Sequence, residues 1–174
     1  MKETIDEIIK ICDRHADRLN WAMTQLQKHT PFTGQTLKQI NDIELAILDQ
    51  FSTRFGKLQD LMGAKLFPAV LEITKEPGEL KAFIDKLYRL EKIGAIASAD
   101  DWLLMREARN TFSHDYPDDQ ELQAAMLNKL YELATQLLAV LSGIKTFITP
   151  YSYRDLCGLS DIVFCRACCP RLEN

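Results

Sequence analysis

The chain has 174 residues, a length that accommodates one domain with a substantial hydrophobic core. Its hydrophobic content of 47% and charged content of 26% are typical of a globular protein, and few glycines (7) and prolines (6) favour long regular elements over a sandwich or barrel. The net charge of -4 argues against a protein that coats nucleic acid non-specifically, because that affinity depends on neutralising phosphates with lysine and arginine. A small catalytic or nucleotide-binding site needs only a few local cations and remains compatible with this charge.

The first residues, MKETIDEIIK, carry charges through what would be the apolar part of a secretory signal, so they do not resemble one. No apolar run approaches the roughly 18 residues that a membrane-spanning helix requires. The sequence therefore predicts a cytoplasmic protein that does not insert into a membrane.

Apolar residues recur at steps of three and four from Ile5 onward, which predicts amphipathic helices. The segment KHTPFTG ends the first helix, and a second is predicted over about 35–62. The segment GAKLFPAVLEIT, which begins at Gly63, is also predicted to be helical. Pro68 does not prevent this, because proline is tolerated near a helix start. The predicted inward-facing residues of the second helix are Leu37, Ile40, Ile43, Ile47, Phe51, Phe55, Leu58 and Leu61.

After a turn at KEPGEL, a helix is predicted over 80–93 and another begins at Ser98, three residues before Asp101, in a pattern close to a capping box. Pro117 ends that helix and starts the last one, whose apolar stripe runs from Leu122 to Ile144. The predicted fold is all-α: an antiparallel up-and-down bundle of about five helices over residues 1–147.

Residues 148–174 show neither helical nor strand periodicity and form a separate C-terminal tail, poorly structured or packed on the bundle. Four of the five cysteines lie there, and in a cytoplasmic chain they are expected to be reduced. Their spacing includes one CxxC, which is half of a zinc site, but the second pair or histidine is missing. An irregular tail without metal is the favoured interpretation. The four are Cys157, Cys165, Cys168 and Cys169.

The segment REARNTFSHDYP (106–117) carries the polar residues that are the best candidates for a catalytic or binding site. On a continuous helix Arg109 and His114 would point about 140° apart. Pro117 disfavours helical backbone at Tyr116, and in an extended segment His114 and Tyr116 would point the same way. A guanidinium, an imidazole and a phenol would then converge on one cleft.

Such a trio suits phosphate chemistry. The guanidinium of Arg109 matches phosphate oxygens, and His114 can accept a proton near neutral pH, for example from a ribose 2′-hydroxyl. This chemistry needs no metal. The alternative is purely structural, because arginine and histidine at a helix C-terminus are also favoured by the helix dipole.

RNTFSHDY resembles the R-x4-H-x-Y signature of HEPN-domain proteins, specifically HepT-type toxins encoded beside a minimal nucleotidyltransferase antitoxin. The segments RFGKLQDLMGAKLFP, LYRLEKIGAIASADDW and REARNTFSHDYP occur in the family's order, and the resemblance spans about residues 1–147. The cysteine-bearing tail has no counterpart in it.

The resemblance implies a homodimer with a metal-independent RNA-cleaving site at its interface, without a cofactor. Arg109 and His114 would be the catalytic pair and Asn110 would support them. Tyr116 would be the residue that the nucleotidyltransferase modifies with AMP, which places an anion where the substrate phosphate must bind.

A locally positive run on the second helix, with Arg54, Lys57 and Lys65 against Asp60, is a candidate for RNA-backbone binding or else a solvated helix face. His15 and His29 are interpreted as ordinary surface or helix-end residues.

Two other functions remain open at this stage. One is a non-catalytic, nucleotide-binding partner subunit of a minimal nucleotidyltransferase, which suits the acidic charge slightly better. The other is an assembly scaffold in which Arg109, His114 and Tyr116 have no role.

Overall fold

A computed structural model describes residues 3–75, 82–112 and 119–157, without the side chains of 112 and 152–157. Within these ranges the chain is helical and contains no strand, which confirms the predicted all-α bundle. The α-helices are α1 (Ile5–Leu26), α2 (Gly34–Leu37), α3 (Asp42–Leu61), α4 (Phe67–Ile73), α5 (Phe83–Lys92), α6 (Ala99–Phe112) and α7 (Gln120–Cys157).

Side-chain caps explain where the main helices begin. Thr4 and Glu7 form a reciprocal capping box at the start of α1, as do Asn41 and Glu44 at the start of α3. The backbone N–H of Asp101 donates to Oγ of Ser98 at 3.0 Å, which confirms the predicted cap before α6. These contacts satisfy N–H groups that have no partner inside the helix.

The predicted second helix over 35–62 is wrong in its first part. The chain forms the short helix α2, and α3 begins only after the cap at Asn41, whose Oδ1 accepts from the N–H groups of Ile43 and Glu44, each at 3.0 Å. The new start places Ile43 on the solvent side, where it is 75% exposed. The capping chemistry of Asn41 outweighs the apolar periodicity on either side of it.

A single core is formed mainly by α1 and α3, which pack along each other, with α6 and α7. Phe51 and Phe55 are fully buried in it, as predicted. The helix continues from α3 into α4 through a π-helical segment, Met62–Leu66. At Gly63 an added Cβ would lie 3.5 Å from the ring of Trp102, an ordinary contact distance, so the π-helical segment packs against α6 at this point. Pro68 lies at the start of α4, where it was expected.

Helix α7 continues to Cys157 through Pro150, so it crosses the predicted boundary at 147/148. It is the one helix in the described ranges that is long and apolar enough to span a membrane. Some of its apolar residues also form part of the bundle core, and 33% of its most apolar stretch is buried in the described structure. Its buried core residues are Ala124, Leu127, Leu130, Leu133, Ala134, Leu137, Leu141, Ile144 and Ile148.

Candidate functional site

Arg109 lies in the last turn of α6 and is half-buried. Its Nη2 donates to Oδ2 of Asp60 on α3 at 2.5 Å, and its Nη1 donates to Oδ1 of Asn110 at 2.9 Å. Two groups therefore hold the plane of the guanidinium: a carboxylate from another helix and an amide from the next residue. Charge-assisted bonds of this kind are among the stronger hydrogen bonds in proteins.

The aliphatic part of Arg109 crosses α3 at Gly56, where even an added Cβ would make ordinary van der Waals contact. A Cβ at Gly56 would lie 3.6 Å from Cγ of Arg109, so the aliphatic part of the arginine packs directly on the backbone of α3. Asp60 follows Gly56 by one helical turn, on the same face. This geometry brings the end of α6 and the last two turns of α3 into one site.

A shallow pocket of about 240 Å³ opens where α3 and α6 meet. Lys57 and Arg109 contribute positive charge to its wall and Asp60 contributes one negative charge. Such a surface is suited to an anionic group of modest size. The lining residues are Ser52, Thr53, Phe55, Gly56, Lys57, Asp60 and Arg109.

Arg54 does not line this pocket but faces α1, where its Nη1 lies 3.2 Å from Nδ1 of His15. A guanidinium has only donors, so His15 must accept through Nδ1 and carry its proton on Nε2. Burial lowers the pKa of His15, and the nearby positive charges of Arg54, Lys57, Arg14 and Arg18 lower it further. His15 is therefore part of a basic cluster and not the ordinary surface residue that the sequence suggested.

Lys65, the third member of the predicted positive run, lies elsewhere: its Nζ is 2.6 Å from Oε2 of Glu3. Of that run, Lys57 shares the pocket with Arg109 and Arg54 shares the cluster at His15.

His114 and Tyr116 lie outside the described residues, so their convergence with Arg109 stays a prediction. The same holds for Cys165, Cys168 and Cys169, and the side chain of Cys157 is not described either. In the parts of the chain that the structure describes, no three histidine, cysteine or acidic side chains are grouped to hold a metal. Cys12 is fully buried, and burial raises the pKa of its thiol to about 12, so it is an inert core residue.

A second ionic cluster has a structural role. Oε1 of Glu44 contacts Lys28 and lies 3.2 Å from Nε2 of His29, while Oε2 accepts from the N–H of Asn41 at 3.1 Å. Lys28, the Asn41 N–H and His29 together lower the pKa of Glu44 to about 2. These contacts fasten the end of α1 to the start of α3, so His29 belongs to the scaffold.

The sequence does not reveal Asp60 as the partner of Arg109, because 49 residues separate them. Nor does it pair His15 with Arg54, although a helical projection of α1 would have shown Arg14 and Arg18 on one face.

No family model matches the chain, and neither a curated protein nor a solved structure matches it. The likeness to HEPN-domain proteins thus depends on the motif and segments quoted above.

Proposed function

We propose that the chain is a HepT-like toxin of the HEPN family: a metal-independent endoribonuclease that acts as a cytoplasmic homodimer. In this proposal Arg109 and His114 are the catalytic pair, with Asn110 in support. A minimal nucleotidyltransferase antitoxin silences the enzyme by attaching AMP to Tyr116.

The observation that supports it best is the anchoring of Arg109. A half-buried guanidinium is fixed by Asp60 and Asn110 in the wall of an open pocket, and Lys57 adds a second cation there. Preorganised positive charge is what phosphoryl transfer requires, because charge accumulates on the phosphoryl oxygens in the transition state.

The reaction follows from these groups. His114 removes the proton from a ribose 2′-hydroxyl, and the 2′ oxygen attacks the adjacent phosphorus. The bond from phosphorus to the 5′ oxygen breaks, and the leaving oxygen takes a proton from water. The products are a 2′,3′-cyclic phosphate and a 5′-hydroxyl. Arg109 stabilises the charged phosphoryl oxygens, and Asp60 acts through Arg109 as a positioning residue.

Modification of Tyr116 would inhibit this reaction electrostatically. AMP adds a phosphate and a nucleoside two residues from His114, so it competes for the cations that the substrate phosphate needs.

The test is cleavage of a single-stranded RNA by purified protein in EDTA, with Arg109→Ala, His114→Ala and the control Arg106→Gln. Arg106 lies one turn earlier on α6, with its guanidinium 5.1 Å from the centre of the Phe83 ring. We expect the first two variants to lose cleavage and growth inhibition while remaining folded, and the control to keep both. Full cleavage by His114→Ala would refute the assigned mechanism.

The second candidate is a non-catalytic, nucleotide-binding partner subunit. The ion pair with Asp60 favours it, because it partly neutralises Arg109 in a chain of net charge -4. This subunit would show no cleavage in any form, yet intact mass would still report AMP on Tyr116 after incubation with the transferase and ATP. Cleavage by the unmodified protein decides between the two.

A further inference from the structure

A set of cations lies together on one side of this acidic chain. Arg14 and Arg18 on α1 and Arg54 and Lys57 on α3 surround His15, and this set is called the basic face below. Arg14, Arg18 and Lys57 are exposed, whereas Arg54 is half-buried. The packing of α1 along α3 brings the two pairs together from distant parts of the sequence.

Within the described residues, ion pairing does little to neutralise the basic face. Asp13 binds Lys145 at 2.8 Å and Asp60 binds Arg109, while Asp17 is an exposed carboxylate beside Arg14 and Arg18 on α1. In the described part of the chain, no carboxylate forms an ion pair with any of the four cations. Like charges held close together repel each other, so a bound anion would relieve an unfavourable arrangement.

The guanidinium of Arg54 also has few hydrogen-bond partners among the described residues. Its contact with His15 is to a neutral imidazole, and its buried Nε finds no acceptor among the described residues. Guanidinium groups in protein interiors usually have a carboxylate or several carbonyl partners. No ion pair among the described residues supplies the negative charge that this guanidinium would attract.

An exposed aromatic ring extends the basic face along α1. Trp21 is 52% exposed, unlike the fully buried Trp102. It follows Arg14 by seven residues and Arg18 by three, so the three side chains lie within about 60° on one face of the helix. Cations spaced by one helical turn beside an exposed ring suit the binding of single-stranded nucleic acid. The cations attract its phosphates, and an unpaired base can stack on the ring.

Lys57 links the basic face to the candidate active site. It lines the pocket that Arg109 also lines, while its charge acts on His15. A nucleic-acid strand whose backbone lies along the basic face would therefore reach the pocket at the end of α6.

We propose that the basic face and Trp21 form a binding track for single-stranded RNA, which delivers the strand to the pocket beside Arg109. This inference rests on the proposed ribonuclease function for the direction of the strand, but binding can be measured without cleavage.

The experiment measures fluorescence anisotropy of a labelled single-stranded RNA with the full chain carrying His114→Ala, in EDTA. On this background, Arg14→Gln with Arg18→Gln is compared with Lys38→Gln with Lys92→Gln. The second pair removes the same charge from exposed positions on α2's end and on α5. Trp21→Ala forms the third variant.

We expect the double arginine variant to bind at least tenfold more weakly and its salt dependence, the slope of log K against log salt, to be shallower by about 1.4. Trp21→Ala should weaken binding about fivefold or more, with an unchanged salt slope. The double lysine variant should bind like its parent.

Equal losses in the arginine and lysine pairs would overturn the proposal, because they would report net charge alone. Unchanged binding in the arginine pair would overturn it too, as would binding to phosphatidylserine vesicles without binding to RNA. If the unmutated protein cleaves RNA and the arginine pair leaves KM unchanged, the track fails and the ribonuclease stands. If the track binds RNA that the unmutated protein does not cleave, the ribonuclease fails and the track stands.

Discussion

Arg109 and Arg54 are both half-buried arginines at helix–helix contacts, but their surroundings differ. Arg109 is held by the carboxylate of Asp60 and the amide of Asn110, whereas Arg54 contacts the neutral ring of His15. An ion pair fixes the direction of a guanidinium, which suits a group that must meet a developing charge. Cations that form no ion pair with a described carboxylate retain more of their field, which suits attraction of a polyanion. On the proposals made above, the surroundings of Arg109 would serve catalysis and those of Arg54 would serve binding.

The largest effect is expected when the planar guanidinium of Arg109 is replaced. Arg109→Lys keeps the positive charge but loses the planar set of donors, so kcat should fall by about 10² to 10³. Arg106→Lys on the same helix is the matched control and should cleave normally. Steady-state cleavage of a fluorogenic RNA gives kcat and KM for both variants. Equal activity of Arg109→Lys and the unmutated protein would remove the arginine from the chemistry.

A smaller effect is expected when the ion pair is weakened. Asp60→Asn removes the carboxylate that Arg109 contacts on α3, so binding of RNA should strengthen while kcat falls about tenfold. Asp49→Asn makes the same charge change at an exposed position on α3 and is the control. A cleavage assay measures the expected fall in kcat, and fluorescence anisotropy measures the expected rise in RNA affinity. A fall in affinity would show that Asp60 does not act through orientation.

The smallest effect concerns His15 and pH. The pKa of His15 lies below its ordinary value of about 6.5, because the ring is partly buried beside four cations. Its folded pKa is depressed, so the stability it contributes is present above pH 6.5 and is lost as pH falls from there toward the folded value. Urea unfolding at pH 7.5 and 5.5 should show a loss in the unmutated protein that is smaller in His15→Gln. The same loss in both would mean that other groups cause it.

The helices themselves were largely predictable from local patterns. The periodicity of apolar residues predicted α1, α5, α6 and α7, and Ser98 was correctly identified as the cap of α6. The errors lie where two local signals compete. Asn41 began a new helix inside a continuous apolar pattern, and α7 continued through Pro150 to Cys157 after the pattern had ended. In both places a neighbouring cap or an already formed helix outweighed the apolar spacing.

The candidate site divides in the same way. The sequence alone indicated four candidate residues, because they lie close together in a recognisable R-x4-H-x-Y motif. They are Arg109, Asn110, His114 and Tyr116. What the sequence determined by itself is therefore the helical fold and the position of the motif at the end of α6. Only the tertiary structure decided that Asp60 orients Arg109 and that His15 meets Arg54, across 49 and 39 residues. Such pairs depend on which helix faces pack together, and that is set by the whole core and not by any local spacing.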